Sequence, residues 1–359
     1  MEENPPTRLL SAEDQYLARL KEAPKRLAFT KGANFGQWKN ELKSKVWDLL
    51  DPFPEPVHPN LEILEDRIID DFVDAGLPPF TQQKIIYDTE RFGSCVAYLL
   101  IPGDIDKDEK RPAILNAHGH GSGKKKLVGL DEESWPEDPR SPGMPNFEAM
   151  SLHLVKAGYV VIAPDWRPFG ERALHPDITR PDRDPCNVLY LAFGYFGYSL
   201  LTLNVWDAMR TIDVLESMPY VDKNRIGMIG KSYGGTMTTY TTVLDDRVRV
   251  AVISGYLSTL DDALGFRGKG NTCGAQYVPG LLNWADIPDV IGLIAPRPLL
   301  IESGTQDDCF NFEDTTKAYG HLQDIYKASG HPDKLDRDVA DVGHQYIGNK
   351  FLEFFQNHL

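Results

Sequence analysis

Residues 226–235 constrain the fold of this chain more than any other segment. They read Ile-Gly-Met-Ile-Gly-Lys-Ser-Tyr-Gly-Gly, so an apolar strand ends at Ile229 and a helical pattern begins at Tyr233. A serine on so sharp a strand-to-helix turn takes a strained conformation that exposes its hydroxyl at the edge of a sheet. The flanking glycines keep side chains clear of the neighbouring strand and helix. The pattern predicts that Ser232 is a nucleophile.

The Gly-Lys-Ser within this segment also matches the end of the phosphate-binding-loop motif. That motif needs another glycine five residues before the Gly-Lys pair, and position 225 is Arg. The strand would run straight into the lysine and leave no loop to hold phosphates. We therefore predict no nucleotide site here.

Strands and helices alternate from about residue 112 to the end of the chain. The strand patterns lie at residues 112–117, 159–163, 225–229, 249–254, 298–302 and 336–341. Before them, residues 62–73, 82–88 and 95–101 predict an antiparallel meander. The alternation predicts a mostly parallel sheet with helices on both faces, whereas residues 166–195 read as largely irregular.

The first 56 residues predict a helical extension. Spaced apolar positions favour helices over residues 8–22 and 37–50, and the proline-rich run at 51–56 ends the pattern. The extension has few apolar residues of its own to bury, so we expect it to pack on the main domain. The predicted division is 1–56 for the extension and 57–359 for the catalytic domain.

A serine hydroxyl needs a neighbouring base, usually a histidine that a carboxylate orients. Where a nucleophilic serine lies on such a turn, the acid follows a later strand and the histidine follows the last one. His344 follows the last predicted strand, so we predict it as the base. Asp307 and Asp308 both follow the strand that ends near Glu302. We predict Asp307 as the acid because it stands three residues after Gly304, and Asp308 remains the alternative, since either carboxylate could instead cap the next helix.

Two backbone donors are expected to stabilise the oxyanion of acyl transfer. One is the N–H of Tyr233. The other comes from the glycine-rich loop at residues 116–123, where we propose the N–H of His120. His118 and His120 could alternatively bind a metal at i, i+2 spacing, but no carboxylate lies nearby in sequence. We therefore predict no metal and no cofactor.

The composition narrows the class of partner. The formal net charge of −15 disfavours nucleic acid. No apolar stretch reaches the ~18 residues of a membrane span, and the acidic start lacks a signal peptide pattern. We expect a cytoplasmic protein with reduced cysteines and a small-molecule substrate, and a homo-oligomer remains open.

Six segments carry a family resemblance, and they lie at residues 116–121, 162–167, 230–235, 294–300, 303–307 and 343–344. From about residue 84 to the end, the chain resembles α/β-hydrolases of the dienelactone-hydrolase and acetyl-xylan-esterase-like group. The resemblance implies an α/β-hydrolase fold and a Ser232–His344–Asp307 triad. It also implies hydrolysis of carboxylic esters without a cofactor, with short acyl groups such as acetyl expected.

The Ser-Tyr-Gly-Gly of the turn is also similar to prolyl-oligopeptidase catalytic domains. A peptidase or amidase is therefore the alternative function. Those enzymes carry a large propeller domain that screens substrates, and the region before the core of this chain is too short for one and reads as helical. The ester hydrolase remains the favoured interpretation.

Overall fold

Nine strands form one central sheet within the part of the chain that the structure, a computed structural model, describes. That part comprises residues 8–106, 108–132, 137, 140, 142–175, 183–266 and 273–359. The strands are β1 (Glu62–Ile69), β2 (Phe80–Glu90), β3 (Gly93–Pro102), β4 (Arg111–Ala117), β5 (Val160–Pro164), β6 (Val221–Lys231), β7 (Val248–Ser254), β8 (Leu299–Gly304) and β9 (Leu335–Ala340).

The sheet has the order β1-β2-β3-β5-β4-β6-β7-β8-β9. Strands β1 to β3 form the predicted antiparallel meander, and β3 pairs antiparallel with β5. From β5 to β9 every neighbouring pair is parallel. This arrangement confirms the predicted α/β-hydrolase fold with a mostly parallel sheet.

Helices cover both faces of the sheet. They are α1 (Ala12–Lys21), α2 (Phe35–Leu50), α3 (Lys124–Leu127), α4 (Met150–Lys156), α5 (Pro185–Gly194), α6 (Leu200–Ser217), α7 (Tyr233–Leu244), α8 (Ile287–Gly292), α9 (Phe312–Ala328) and α10 (Phe351–His358). Successive residues of β4 point to opposite faces. Leu115 packs with α6 and α7, whereas Ile114 packs with α4 and α10.

The predicted N-terminal extension forms α1 and α2. The side chain of Asn34 caps α2 by accepting the Gln37 N–H, and α2 ends before the proline at position 52. Its buried face, which includes Trp38, Leu42 and Val46, belongs to the same core cluster as α7 and α8. The boundary after residue 56 stays a prediction, and the segments on its two sides share a core.

The main error in the predicted elements lies at residues 166–195, where the structure has α5. This helix begins with Asp184 at the N-cap and Pro185 in its first turn. A proline at that position leaves no helical hydrogen bond unmade and favours a helix start. Residues 166–195 were predicted to be largely irregular, and this helix start was not recognised. Helix α8 was also not predicted.

None of the helices in the described residues combines the length and apolar character that a membrane span needs.

Candidate active site

Ser232 occupies the turn between β6 and α7. Its φ of 59° and ψ of −119° lie outside the regions that most side chains adopt. Its N–H donates to the Ser254 carbonyl at 2.9 Å, which ties the turn to the end of β7. The serine therefore has the strained position that the sequence pattern predicts.

The glycines around the serine are required by close backbone packing. A Cβ on Gly234 would collide with the carbonyl of Ala117, and a Cβ on Gly230 would collide with the carbonyl of Gly234. The turn is thus pressed against the end of β4. Any side chain at these two positions would push Ser232 away from the β4 loop.

His344 and Asp307 form a hydrogen-bonded pair. The imidazole Nδ1 lies 2.9 Å from Asp307 Oδ2, while Oδ1 accepts the N–H groups of Cys309 and Phe310 at 2.8 and 2.9 Å. Burial opposes the charge of Asp307, but the bond from His344 and the two N–H groups hold its pKa below the usual value. Asp308 is exposed, and the N-cap of α9 is Asn311. The structure thus places Asp307 against His344, and the helix cap is a third residue.

The serine and the histidine both lie beside the end of β7. Ser254 holds the N–H of Ser232, and the next residue, Gly255, has a φ of +51°. A Cβ on Gly255 would stand 3.1 Å from the Cε1 atom of His344. Ser232 and His344 both line one cavity of about 550 Å³, which we call the catalytic cavity.

Phe310 fixes the other side of the imidazole. Its ring stacks on that of His344 with centroids 5.6 Å apart and an interplanar angle of 26°. Stacking together with the bond to Asp307 restricts rotation of the imidazole. Phe310 was not predicted as a site residue, because no local sequence pattern marks it as a neighbour of His344.

His118 has a structural role in the β4 loop. Its Nε2 accepts the N–H of Trp166 at 2.9 Å, so its proton is on Nδ1, which donates to the Gly119 carbonyl at 2.6 Å. Burial lowers its pKa to about 4 despite the nearby charge of Asp165. Both ring nitrogens are used, so the i, i+2 metal pair that the sequence left open lacks one ligand.

The same loop brings His120 and Gly119 against the serine turn. A Cβ on Gly119 would lie 3.1 Å from the Lys231 carbonyl and 3.5 Å from the Cβ of Ser232. His120 lines the catalytic cavity, and its ring centroid lies 5.2 Å from that of Tyr233. Use of the Tyr233 and His120 N–H groups as oxyanion donors stays a prediction.

Charged side chains in the catalytic cavity are mostly paired with each other. Lys231, next to the serine, forms an ion pair with Glu148, and Lys126 lies 3.2 Å from the same carboxylate. Burial alone would raise the pKa of Glu148, but the two ammonium groups hold that pKa below its usual value. Lys231, beside the serine, is therefore paired with a carboxylate that it shares with Lys126.

Glu302 lies behind the catalytic cavity, and no sequence pattern predicted a role for it. It is fully buried, and it accepts the N–H groups of Ile347 and Gly348 at 3.3 and 3.1 Å, just after His344. Burial raises its pKa to about 7. This carboxyl group anchors the loop that carries the imidazole.

A second cavity of about 470 Å³ adjoins the first. Among the described residues it is lined mainly by apolar and aromatic side chains from α5, the segment after β7 and the turns before α8, and we call it the apolar cavity. The two cavities share Asn187, Cys273, Cys309 and Phe310. A ligand in the apolar cavity would therefore reach towards the residue that stacks on His344.

Comparison with known proteins links residues 8–344 of the chain to one family. A model described as "Abhydrolase family" matches residues 8–344. The "Putative hydrolase YtaP" of Bacillus subtilis is 28% identical over 229 residues, which make up 62% of this chain and 69% of that protein. Dipeptidyl-peptidase 5 of Porphyromonas gingivalis is 28% identical over 159 residues, which make up 44% of this chain and 19% of the peptidase.

Solved structures share the fold at low identity. A "putative acetyl xylan esterase" from Bacteroides fragilis has a TM-score of 0.74 and 20% identity, covering 93% of this chain and 82% of its own. A glucuronoyl esterase from Solibacter usitatus has a TM-score of 0.60 and 15% identity, covering 93% and 96%. Likenesses at these identities establish the fold.

Proposed function

We propose that this chain, which belongs to the Abhydrolase family, hydrolyses carboxylic esters through an acyl-enzyme formed on Ser232. The observation that carries the proposal is the geometry of three side chains. A serine with positive φ at a strand-to-helix turn shares one cavity with a histidine that hydrogen-bonds a buried aspartate. Such an arrangement activates a hydroxyl for attack on a carbonyl.

In the first half of the reaction, His344 takes the proton of the Ser232 hydroxyl while its oxygen attacks the ester carbonyl. Asp307 stabilises the imidazolium that forms. The N–H groups of Tyr233 and His120 would meet the oxyanion of the tetrahedral intermediate. When that intermediate collapses, the C–O bond to the alcohol breaks and His344 returns the proton to the leaving oxygen.

In the second half, water attacks the acyl-enzyme while His344 accepts one of its protons. Collapse of the second intermediate releases the carboxylic acid, and the imidazole gives the proton back to the Ser232 oxygen. Each turnover consumes one ester and one water and yields one acid and one alcohol. No cofactor takes part in these steps.

The acyl group is proposed to be short, with acetyl as the preferred member. Three of the structures that share the fold are named as acetyl xylan esterases, one of them as "putative". The catalytic cavity is lined by charged and polar groups such as Lys126, Glu148 and Asp184, which do not favour burial of a long alkyl chain.

Peptide or amide hydrolysis is the second candidate. The match to a dipeptidyl-peptidase favours it, although this chain spans about a fifth of that protein. An amide leaving group is a poorer one than an alcohol and needs stronger protonation and more positioning. We therefore rank the ester first and let the experiment compare the two.

The test compares kcat/KM for acetyl, octanoyl and prolyl-amide substrates that release one chromophore. The acetyl ester should be cleaved fastest, and Ser232→Ala should lower its hydrolysis by about 10⁴-fold or more, because triad members act as a unit. Ser329→Ala, at the end of α9, is the control that should keep wild-type activity. A faster octanoyl ester would indicate a lipase-like enzyme, and a faster amide would support the peptidase.

A further inference from the structure

Three metal-ligating side chains meet at one wall of the catalytic cavity. His120 comes from the loop after β4, Cys186 from the first turn of α5, and Cys273 from the residue that caps a short helical turn at Gly274–Gln276. Their imidazole nitrogen and two sulfur atoms all lie within 4.8 Å of one another, and His120 Nε2 is 3.0 Å from Cys273 Sγ. None of the three side chains has a part in the proposed ester hydrolysis.

The surrounding fold holds these side chains together. The side-chain carbonyl of Asn187, one residue after Cys186, accepts the N–H of Gly274, one residue after Cys273, at 2.9 Å. A Cβ on Gly274 would collide with Tyr190 of α5, so the two segments are in close backbone contact. The two thiols are therefore adjacent because of contacts made by their neighbours.

The imidazole of His120 is held from the other side. Its ring lies perpendicular to that of Phe169 with centroids 5.2 Å apart, and the Tyr233 ring is equally close. These contacts leave Nε2 facing Cys273. The site is thus arranged before any ion binds, which reduces the ordering cost of binding.

We propose that His120, Cys186 and Cys273 bind a thiophilic divalent cation of the zinc type. Zinc takes thiolate at about 2.3 Å and imidazole nitrogen at about 2.0–2.1 Å, so ligand atoms around one tetrahedral ion stand about 3.5–3.8 Å apart. The separations here, from 3.0 Å to at most 4.8 Å, bracket that range. Small movements of the three side chains would bring their ligand atoms to these separations. Binding would replace the two thiol protons, which pass to solvent.

Asp184 is the candidate for the fourth position. It stands two residues before Cys186, and its side chain lines the same cavity. Oδ1 already accepts the N–H of Asn187 as the cap of α5, which leaves Oδ2 for the ion. Two sulfurs, one nitrogen and one oxygen form a donor set that suits zinc better than magnesium or calcium.

The ion would fasten three segments of the cavity wall, without entering the chemistry of the ester. It would join the β4 loop, which carries the proposed oxyanion donor, to α5 and to the turn at Cys273. Its expected effect is higher thermal stability of the folded chain, because an ion that binds only the folded state shifts the unfolding equilibrium.

The test measures ion binding directly and needs no ester. Reduced, chelator-stripped wild-type protein is titrated with Zn²⁺ against a chromogenic chelator and, separately, with Co²⁺. We expect one ion per chain and, with Co²⁺, the sulfur-to-cobalt charge-transfer absorption of a thiolate site. Cys186→Ser and Cys273→Ser should both lose this binding. Cys309→Ser should keep it, although Cys309 lies in a second group of ligating side chains with Asp307 and His344.

Melting temperatures give the second readout. Zn²⁺ should raise that of the wild type and of Ser232→Ala, but not that of the folded Cys273→Ser variant. The proposal is overturned if no ion binds, if the Cys186 and Cys273 variants bind as the wild type does, or if Cys309→Ser alone loses binding. A Cys186–Cys273 disulfide that persists in reducing buffer would also overturn it. None of these results depends on ester hydrolysis, so the proposed function stands or fails separately.

Discussion

The catalytic cavity and the apolar cavity share a wall but are built from different parts of the fold. The catalytic one collects side chains that directly follow β4, β6, β8 and β9. The apolar one draws on α5 and on the segment between β7 and α8, with Tyr190, Tyr256 and Leu281 among its lining residues. Parallel strands bring their carboxyl ends to one edge, so the reactive groups are placed by the sheet.

Because their linings differ, we expect the two cavities to bind different parts of the ester. The catalytic cavity is lined mainly by polar and charged groups, most of which are paired, and we propose that the ester bond is cleaved there. The apolar cavity can remove an aromatic or branched group from water, a contribution of about 25 cal/mol per Å² of apolar surface. Phe310 lines the apolar cavity and stacks on His344, which we propose protonates the leaving oxygen. We therefore expect the apolar cavity to hold the alcohol part of the ester.

The largest effect should come from Asp307→Asn, which removes the carboxylate from the imidazole. We expect kcat/KM to fall about 10⁴-fold for every ester, because an amide favours the wrong imidazole tautomer and cannot stabilise the imidazolium. The measurement is a series of acetyl esters whose alcohols range from methanol to an aromatic alcohol. All of them should lose the same factor.

Asp308→Asn is the matched control for that substitution. Its side chain is exposed, so activity should stay close to that of the wild type. A large loss in this variant would move the acid role to Asp308. A loss from Asp307→Asn that differed strongly between alcohols would mean that the two cavities are not separable.

A smaller and selective effect is expected from filling the apolar cavity. Leu264→Trp places a larger ring at a partly exposed lining position. Hydrolysis of the aromatic acetyl ester should fall roughly 10-fold or more, since even single methylenes in such pockets contribute about 1–3 kcal/mol. Methyl acetate should be cleaved as before.

Leu130→Trp, at an exposed position away from both cavities, controls for the added indole. If Leu264→Trp slowed methyl acetate as much as the aromatic ester, the apolar cavity would have no separate role. If it slowed longer acyl chains and spared large alcohols, the cavity would hold the acyl group instead.

The smallest effect concerns Glu302, which lies behind the catalytic cavity. Burial raises its pKa from about 4.5 to about 7, with the charge of Asp338 adding to the shift. The folded state therefore keeps a proton that the unfolded state loses above pH 4.5. The stability from this group is fully present below pH 4.5 and decreases as the pH rises towards 7.

Glu302→Gln cannot ionise and should remove this dependence. The melting temperature of the variant relative to the wild type should rise by a few degrees between pH 4.5 and 7 and stay level above that. Glu313→Gln on α9, whose carboxylate is exposed, should show no such trend. A constant difference across this range would mean that Glu302 is already ionised in the folded protein.

The sequence predicted those parts of the site that can be recognised from short contiguous segments. Ser232 follows from ten residues that cover the end of a strand, a turn and the start of a helix. Asp307 and His344 follow from their places after late strands, and the structure brings these two side chains together. The choice between Asp307 and Asp308 needed side-chain directions, which a sequence pattern does not contain.

Other features depend on contacts between distant segments. His120, Cys186 and Cys273 are separated by 66 and 87 positions, so no spacing rule links them. The prediction that no metal binds considered only the immediate neighbours of His118 and His120. Helix α5, which carries Cys186, was missed because Pro185 was not recognised as a first-turn residue. The apolar cavity is likewise formed by segments that meet only in three dimensions.

Backbone hydrogen bonds at the carboxyl edge of the sheet determine which changes of sequence the site can tolerate. The N–H of Ser232 binds the Ser254 carbonyl, that of Gly255 binds the Glu302 carbonyl, and that of Thr305 binds the Ala340 carbonyl. These bonds link the loops that carry the proposed triad without using side chains. We therefore expect that substitutions or insertions in the outer segments can change specificity while Ser232, Asp307 and His344 keep their places. A slip of one residue in a strand would, in contrast, turn its side chains to the opposite face and separate these three residues.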